Sequence, residues 1–109
     1  MRQVEAACRL APENSFYLTT LGVAQYRSGK YPDAVATLTR SDKINSERDR
    51  QPRDVSFLAM AHYKLGQKDK AQLLLSELRQ LMKEPGWSID AEARGFLREA
   101  EDLLAGKPK

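Results

Sequence analysis

Cysteine and histidine each occur once in this 109-residue chain, as Cys8 and His62. A single cysteine closes no intrachain disulfide, and one cysteine with one histidine cannot make the Cys/His ligand set of a zinc site. Long apolar runs are missing too. No window approaches the roughly 18 consecutive apolar residues of a membrane span, so no membrane partner is expected. Met1-Arg2-Gln3-Val4-Glu5 leads into no apolar run or small-residue cleavage site, which predicts no secretory signal. With the lone cysteine, this points to a reducing, cytoplasmic setting.

Charge of one sign is also scarce. The net charge is +3, from 18 basic and 15 acidic residues. In the most charged stretch, 40–54, five basic residues face four acidic ones. Nucleic-acid modules need a basic face that is not cancelled locally, so no nucleic acid is expected and the stretch reads as a solvated linker. Paired carboxylates, a phosphate loop and a nucleophile beside a base are all absent, so the chain is not expected to be an enzyme, and no cofactor or metal is implied.

What is present is a repeat. Sliding the sequence by 37 residues matches Leu21 with Leu58, Ala24 with Ala61 and Tyr26 with Tyr63. It also matches Gly29 with Gly66, Ala34 with Ala71 and Leu38 with Leu75. Conservative pairs lie between them: Gly22 with Ala59, Val23 with Met60, Arg27 with Lys64. Such self-similarity outranks local propensity in deciding a fold.

Within each unit the spacing is helical. Leu18, Leu21, Gly22 and Gln25 share one helix face, and Asn14 behind Pro12 suits an N-cap. Ser28-Gly29-Lys30 breaks the helix, and Pro32 falls in the first turn of the next, whose stripe is Ala34, Leu38 and Ser41. A second pair has one helix over about 52–65, a turn at Gly66-Gln67-Lys68 and another helix running to about Lys83, stopped by Pro85-Gly86. A last helix starts with Asp90 as N-cap and Glu92 in its first turn. No stretch alternates with period two, so the expected fold is all-α.

These residues resemble the tetratricopeptide repeat family, whose unit is about 34 residues long. Leu21-Gly22 matches the family's leucine-glycine pair, with Leu18 in place of the usual tryptophan. Gly29, Ala34, Leu38 and Ser41 complete the first unit. Val55, Leu58, Ala59, Gly66, Ala71, Leu75 and Leu78 stand at these places in the second. The family's aromatic is Gln25 in one unit and His62 in the other, Ser46 replaces its closing proline, and about three extra residues precede Pro52.

The resemblance implies antiparallel helix pairs stacked as a right-handed superhelix. Residues 14–48 and 52–84 would be two units, and 90–105 a capping helix with Arg94, Arg98, Glu99, Glu101 and Asp102 on a polar outer face. Ala7, Leu10, Pro12 and Asn14 fit the end of a preceding unit, with Val4 in its core. Residues 1–13 would then be the second helix of a truncated repeat in a longer bacterial protein. An uncovered first helix implies a homodimer through that end.

In this family the first helix of each pair lines a concave groove. The resemblance puts Phe16, Thr19, Val23, Tyr26 and Arg27, then Arg53, Ser56, Met60, Tyr63 and Lys64, on that surface. Aromatic residues, Met and Arg carry much interface energy, and this mixture suits an extended or helical partner with apolar anchors and acidic residues. Thr19, Val23, Ser56 and Met60 lack the lysine and asparagine with which some members clamp a C-terminal carboxylate. His62 and Cys8 read as packed residues, and Trp87 as a plug between the second pair and the last helix.

The implied function is a protein–protein interaction module binding a peptide or protein in the groove. Alternatives are a structural self-association module, or a regulatory appendage of an upstream enzyme, since the chain also looks like arrays attached to bacterial signalling kinases. All need the same helices.

Overall fold

A computed structural model of the chain describes residues 15–46 and 50–106. The readings of Val4, Ala7, Cys8, Leu10, Pro12 and Asn14 lie outside the described residues. Among those described the chain is helical throughout, with no strand: α1 (Ser15–Arg27), α2 (Tyr31–Ser46), α3 (Pro52–Lys64), α4 (Lys68–Leu81), the one-turn α5 (Pro85–Ser88) and α6 (Ala91–Leu104). None of these helices is long and apolar enough to cross a membrane.

The turn after α1 and the turn after α3 have the same geometry. Gly29 and Gly66 adopt φ of 81° and 82°, a left-handed conformation that costs glycine little. At the first turn the amide of Gly29 donates to the Tyr26 carbonyl and that of Lys30 to Gln25. At the second, Gly66 donates to Tyr63 and Gln67 to His62. Both are Schellman caps of identical register, which satisfy the orphan carbonyls of α1 and α3 and reverse the chain.

Helix starts follow local chemistry as well. Pro52 opens α3, where its missing N–H costs nothing. Asp90 caps α6, its Oδ1 accepting from the Ala93 amide at 2.8 Å. Pro85-Gly86, read from sequence as a stop, behaves differently: α4 ends at Leu81 and Pro85 opens the short helix α5. Proline ends a helix that runs into it but also suits a first helical position, and the second use prevails here.

α1 packs on α2 and α3 on α4, and the two pairs join mainly through α2 against α3. α3 is the centre of the molecule, with every residue from Asp54 to His62 buried. Neighbours surround it, so its apolar residues run all round. Ala34, Leu38, Ala71, Leu75 and Leu78 bring α2 and α4 onto the same core. His62 is buried, with Nδ1 hydrogen-bonded to Gln67 Oε1.

The charged stretch before α3 is not a simple solvated linker. Its first part continues α2 to Ser46, and Asp54 is fully buried. Arg50 forks, donating through Nε and Nη2 to Asp42 of α2 and through Nη1 to Glu77 of α4. The Asp42 hydrogen bonds push the Arg50 pKa well above its ordinary value, against burial, with Glu77 adding to them. The mixed charges are thus a tie between the pairs.

α6 departs from the way the pairs stack. Of the pair before it, α3 meets mainly the second helix, α2, and little of α1, whereas of the pair before it α6 meets mainly the first helix, α3, and less of α4. α6 therefore lies over the first helix of its preceding pair. Gly95 sits in the interior of α6, and a Cβ there would meet no atom within 4 Å. It weakens the helix by about 1 kcal/mol relative to alanine with no close packing in return.

Candidate partner-binding site

The ten expected groove residues divide sharply by exposure. Phe16 is 67% exposed, Arg27 and Lys64 are exposed, and Val23, Arg53 and Tyr63 are half-buried. Thr19, Tyr26, Ser56 and Met60 are buried. Met60 and Tyr26 share one apolar cluster with Ala93, Ala100 and Leu104 of α6. The Ser56 hydroxyl is satisfied within its own helix, donating to the Arg53 carbonyl at 3.0 Å.

Two arginines of the expected groove are engaged by α6. Arg27 of α1 grips Glu99 with two nitrogens on two carboxylate oxygens, and Arg53 of α3 donates to Glu92. Each also lies over an aromatic ring: Arg27 at 5.0 Å from the centre of Phe57, and Arg53 at 5.3 Å from that of Phe96. A cation over a ring gains from the quadrupole, and a bidentate carboxylate fixes its orientation. The Glu99 hydrogen bond raises the Arg27 pKa, with burial opposing it.

Beneath the arginines runs a chain of rings. Tyr26 meets Phe57 edge-on at 5.4 Å and Phe57 meets Phe96 edge-on at 5.5 Å, joining α1, α3 and α6. Burial, helped by the Glu99 charge, pushes the Tyr26 phenol up to about 12. Glu92, Phe96 and Glu99 stand at i, i+4 and i+7 and so form one helix face. Glu99, expected on the polar outer face, is turned inward to Arg27, and Glu101 bonds Arg79 of α4.

The buried polar residue beside the site that the sequence pattern does not announce is Asp54. Its carboxylate accepts from Thr19 Oγ1 at 2.6 Å, Ser41 Oγ at 3.0 Å and Asn45 Nδ2 at 2.9 Å, joining α1, α2 and α3. Burial raises its pKa, while the bonds from Thr19, Asn45 and Ser41 pull it down. An acidic residue in a first helical turn ordinarily reads as a surface charge favoured by the helix dipole. The available signal was the hydroxyl of Ser41 on a stripe otherwise made of Ala34 and Leu38.

A cleft of about 250 Å³ opens at the N-terminal ends of α1, α3 and α6, beside this node. Phe16, Thr19, Arg53, Trp87 and Phe96 line it. Trp87 of α5 is half-buried against the core, and Phe16 offers the largest exposed apolar surface on the wall. Among the described residues no three His, Cys, Asp or Glu side chains come together as metal ligands. The lining offers ring faces, a guanidinium and hydrogen-bonding groups, which suits recognition of a side chain or short segment. No protein-family model, curated protein or solved structure matches this chain.

Proposed function

We propose that the chain is a protein–protein interaction module, built as tetratricopeptide-like helix pairs in a right-handed superhelix with α6 as its cap. A protein or peptide partner enters at the cleft between α1, α3 and α6. Support for the architecture comes from the matched Schellman caps at Gly29 and Gly66, and from Ala34 and Ala71 at equivalent, fully buried places. The observation that carries the function is the cleft itself. Phe16 stays 67% exposed on its wall, which Trp87 and Phe96 also line. A large exposed aromatic at the edge of a preformed concavity is a usual interface anchor.

Trp87 is the only tryptophan, so its emission reports on the cleft directly. Peptides selected against the full chain from a random display library should shift that emission. Phe16→Ala should weaken them about ten-fold, the value of one good anchor. Selected peptides that bind with unchanged affinity to Phe16→Ala and leave Trp87 silent would refute the cleft as the site. The appendage reading predicts the same cleft with an enzyme attached.

A further inference from the structure

α6 covers much of the surface expected to receive the partner. It rests mainly on α3, not α4, and its Glu92 and Glu99 take up the arginines of the inner face. We propose that α6 is an in-chain stand-in for the partner: the inner face of α1 and α3 accepts an acidic helix of another protein, which displaces α6. This inference rests on the cleft as the partner's entrance and names what enters.

The chemistry of the ligand is written on α6. Glu92-Ala93 and Glu99-Ala100 are seven residues apart, with Phe96 between them. Ala93 and Ala100 are buried and allow close approach, Phe96 meets Phe57, and the two carboxylates meet Arg53 and Arg27. A competing helix therefore needs a carboxylate followed by a small residue, an aromatic one turn on, and the same acidic-small pair one turn after that. Arg27 and Arg53 select against a basic helix.

Three observations mark α6 as displaceable. Its buried side chains are two alanines and Leu104, while Phe96, Leu97 and Leu103 pack on the core only partly covered. Its ion pairs to α1 and α3 are partly exposed, with Arg27 at 47% and Glu92 at 66%, where such pairs hold weakly. Gly95 loosens the helix at a place where a methyl group would meet nothing within 4 Å. The cleft opens at the start of α6, where Glu92, Ala93 and Phe96 share its wall, so a partner gains a foothold before α6 has left.

The test uses the full chain and a fluorescein-labelled synthetic peptide of residues 90–106 carrying Gly95→Ala, followed by anisotropy. E92K/E99K in the chain breaks the ion pairs of α6 but keeps Arg27 and Arg53, and should bind the peptide about ten-fold tighter than the unaltered chain. Gly95→Ala in the chain stiffens α6 without touching the inner face, and should bind about five-fold weaker. R27E/R53E should lose the peptide and recover binding to one carrying E92K/E99K. Hydrogen exchange on the E92K/E99K chain should show α6 amides released while α3 and α4 stay protected.

Equal affinity for all chain variants would overturn the proposal, placing the peptide away from the α6 surface while leaving the cleft reading intact. Absence of binding to E92K/E99K with its α6 amides freely exchanging would overturn it too, because the inner face would then be open and refuse the helix. Protected α6 amides in E92K/E99K would also overturn it, because α6 would then stay docked with lysines facing Arg53 and Arg27, and no competing helix could lift it.

Discussion

Gly22 of α1 and Leu38 of α2 stand so close that a Cβ at position 22 would lie 2.5 Å from Leu38 Cγ and Cδ2. Leu38 is itself fully buried and has little room to withdraw. Glycine here allows the two helices to approach.

Gly22→Ala should therefore destabilise the fold by about 1–3 kcal/mol, outweighing the alanine's better helix propensity. Gly95→Ala, with nothing near it, should instead stabilise by up to about 1 kcal/mol. Urea midpoints of the two variants should move in opposite directions. Equal shifts would show that helix propensity alone, and not the approach of Leu38, governs position 22.

Ala34 and Ala71 are both fully buried at equivalent places in the two units. Leucine at either should cost about 1–3 kcal/mol, because close-packed helices must part to hold it. The two urea midpoints should fall together. A loss at one alone would mean that the units pack differently.

Asp54 should make stability depend on pH. Burial raises its folded pKa above that of the unfolded chain, so protonation favours the fold. The stabilisation is fully present below the unfolded value of about 3.9, and is lost as pH rises through the raised folded pKa. Asp54→Asn should remove this dependence. The amide can donate to Thr19 Oγ1, Thr19 can donate to Ser41 2.8 Å away, and the amide oxygen still accepts from Ser41 and Asn45. As pH falls from neutral towards the unfolded value of about 3.9, the unaltered chain should gain stability relative to the variant. Parallel urea midpoints across that range would show that Asp54 does not titrate there.

Tyr26 offers a spectroscopic check. One phenol of the four should ionise near pH 12, and Tyr26→Phe should delete that step from the tyrosinate absorbance. The sign again favours the protonated form in the fold: its stabilisation holds below the unfolded value of about 10 and disappears as pH rises through about 12. Loss of amplitude near pH 10 instead would place Tyr26 in solvent.

Much of the helical frame was legible because it depends on local chemistry. Gly29 and Gly66 end their helices through positive φ, Pro52 and Asp90 begin theirs, and the stripe of Ala34 and Leu38 declares the buried side of α2. The site was harder to read. A pattern shows which face of α6 is apolar, not which neighbour covers it, so Glu92 read as a helix-dipole charge and Glu99 as part of an outer surface. Asp54 looked like one more charge in a mixed stretch, because nothing local announces Thr19, Ser41 and Asn45 as its partners. Tyr26 and Met60 stand at the expected lining positions, yet their burial depends on a helix over thirty residues downstream.

The ring chain from Tyr26 through Phe57 to Phe96 bears on how the molecule unfolds. A linear stack whose units touch only neighbours can lose them from the ends, one at a time. Here the last helix reaches back to the first described helix, through these rings and through Arg27 to Glu99, 72 residues apart in the chain. Peeling α6 away exposes one flank of Phe57, the centre of the core, and releases Arg27 on α1. The ends are thus coupled. Loss of α6 therefore loosens α1 at the other end of the described chain before α3 and α4 give way, so local opening at one end is felt at the other.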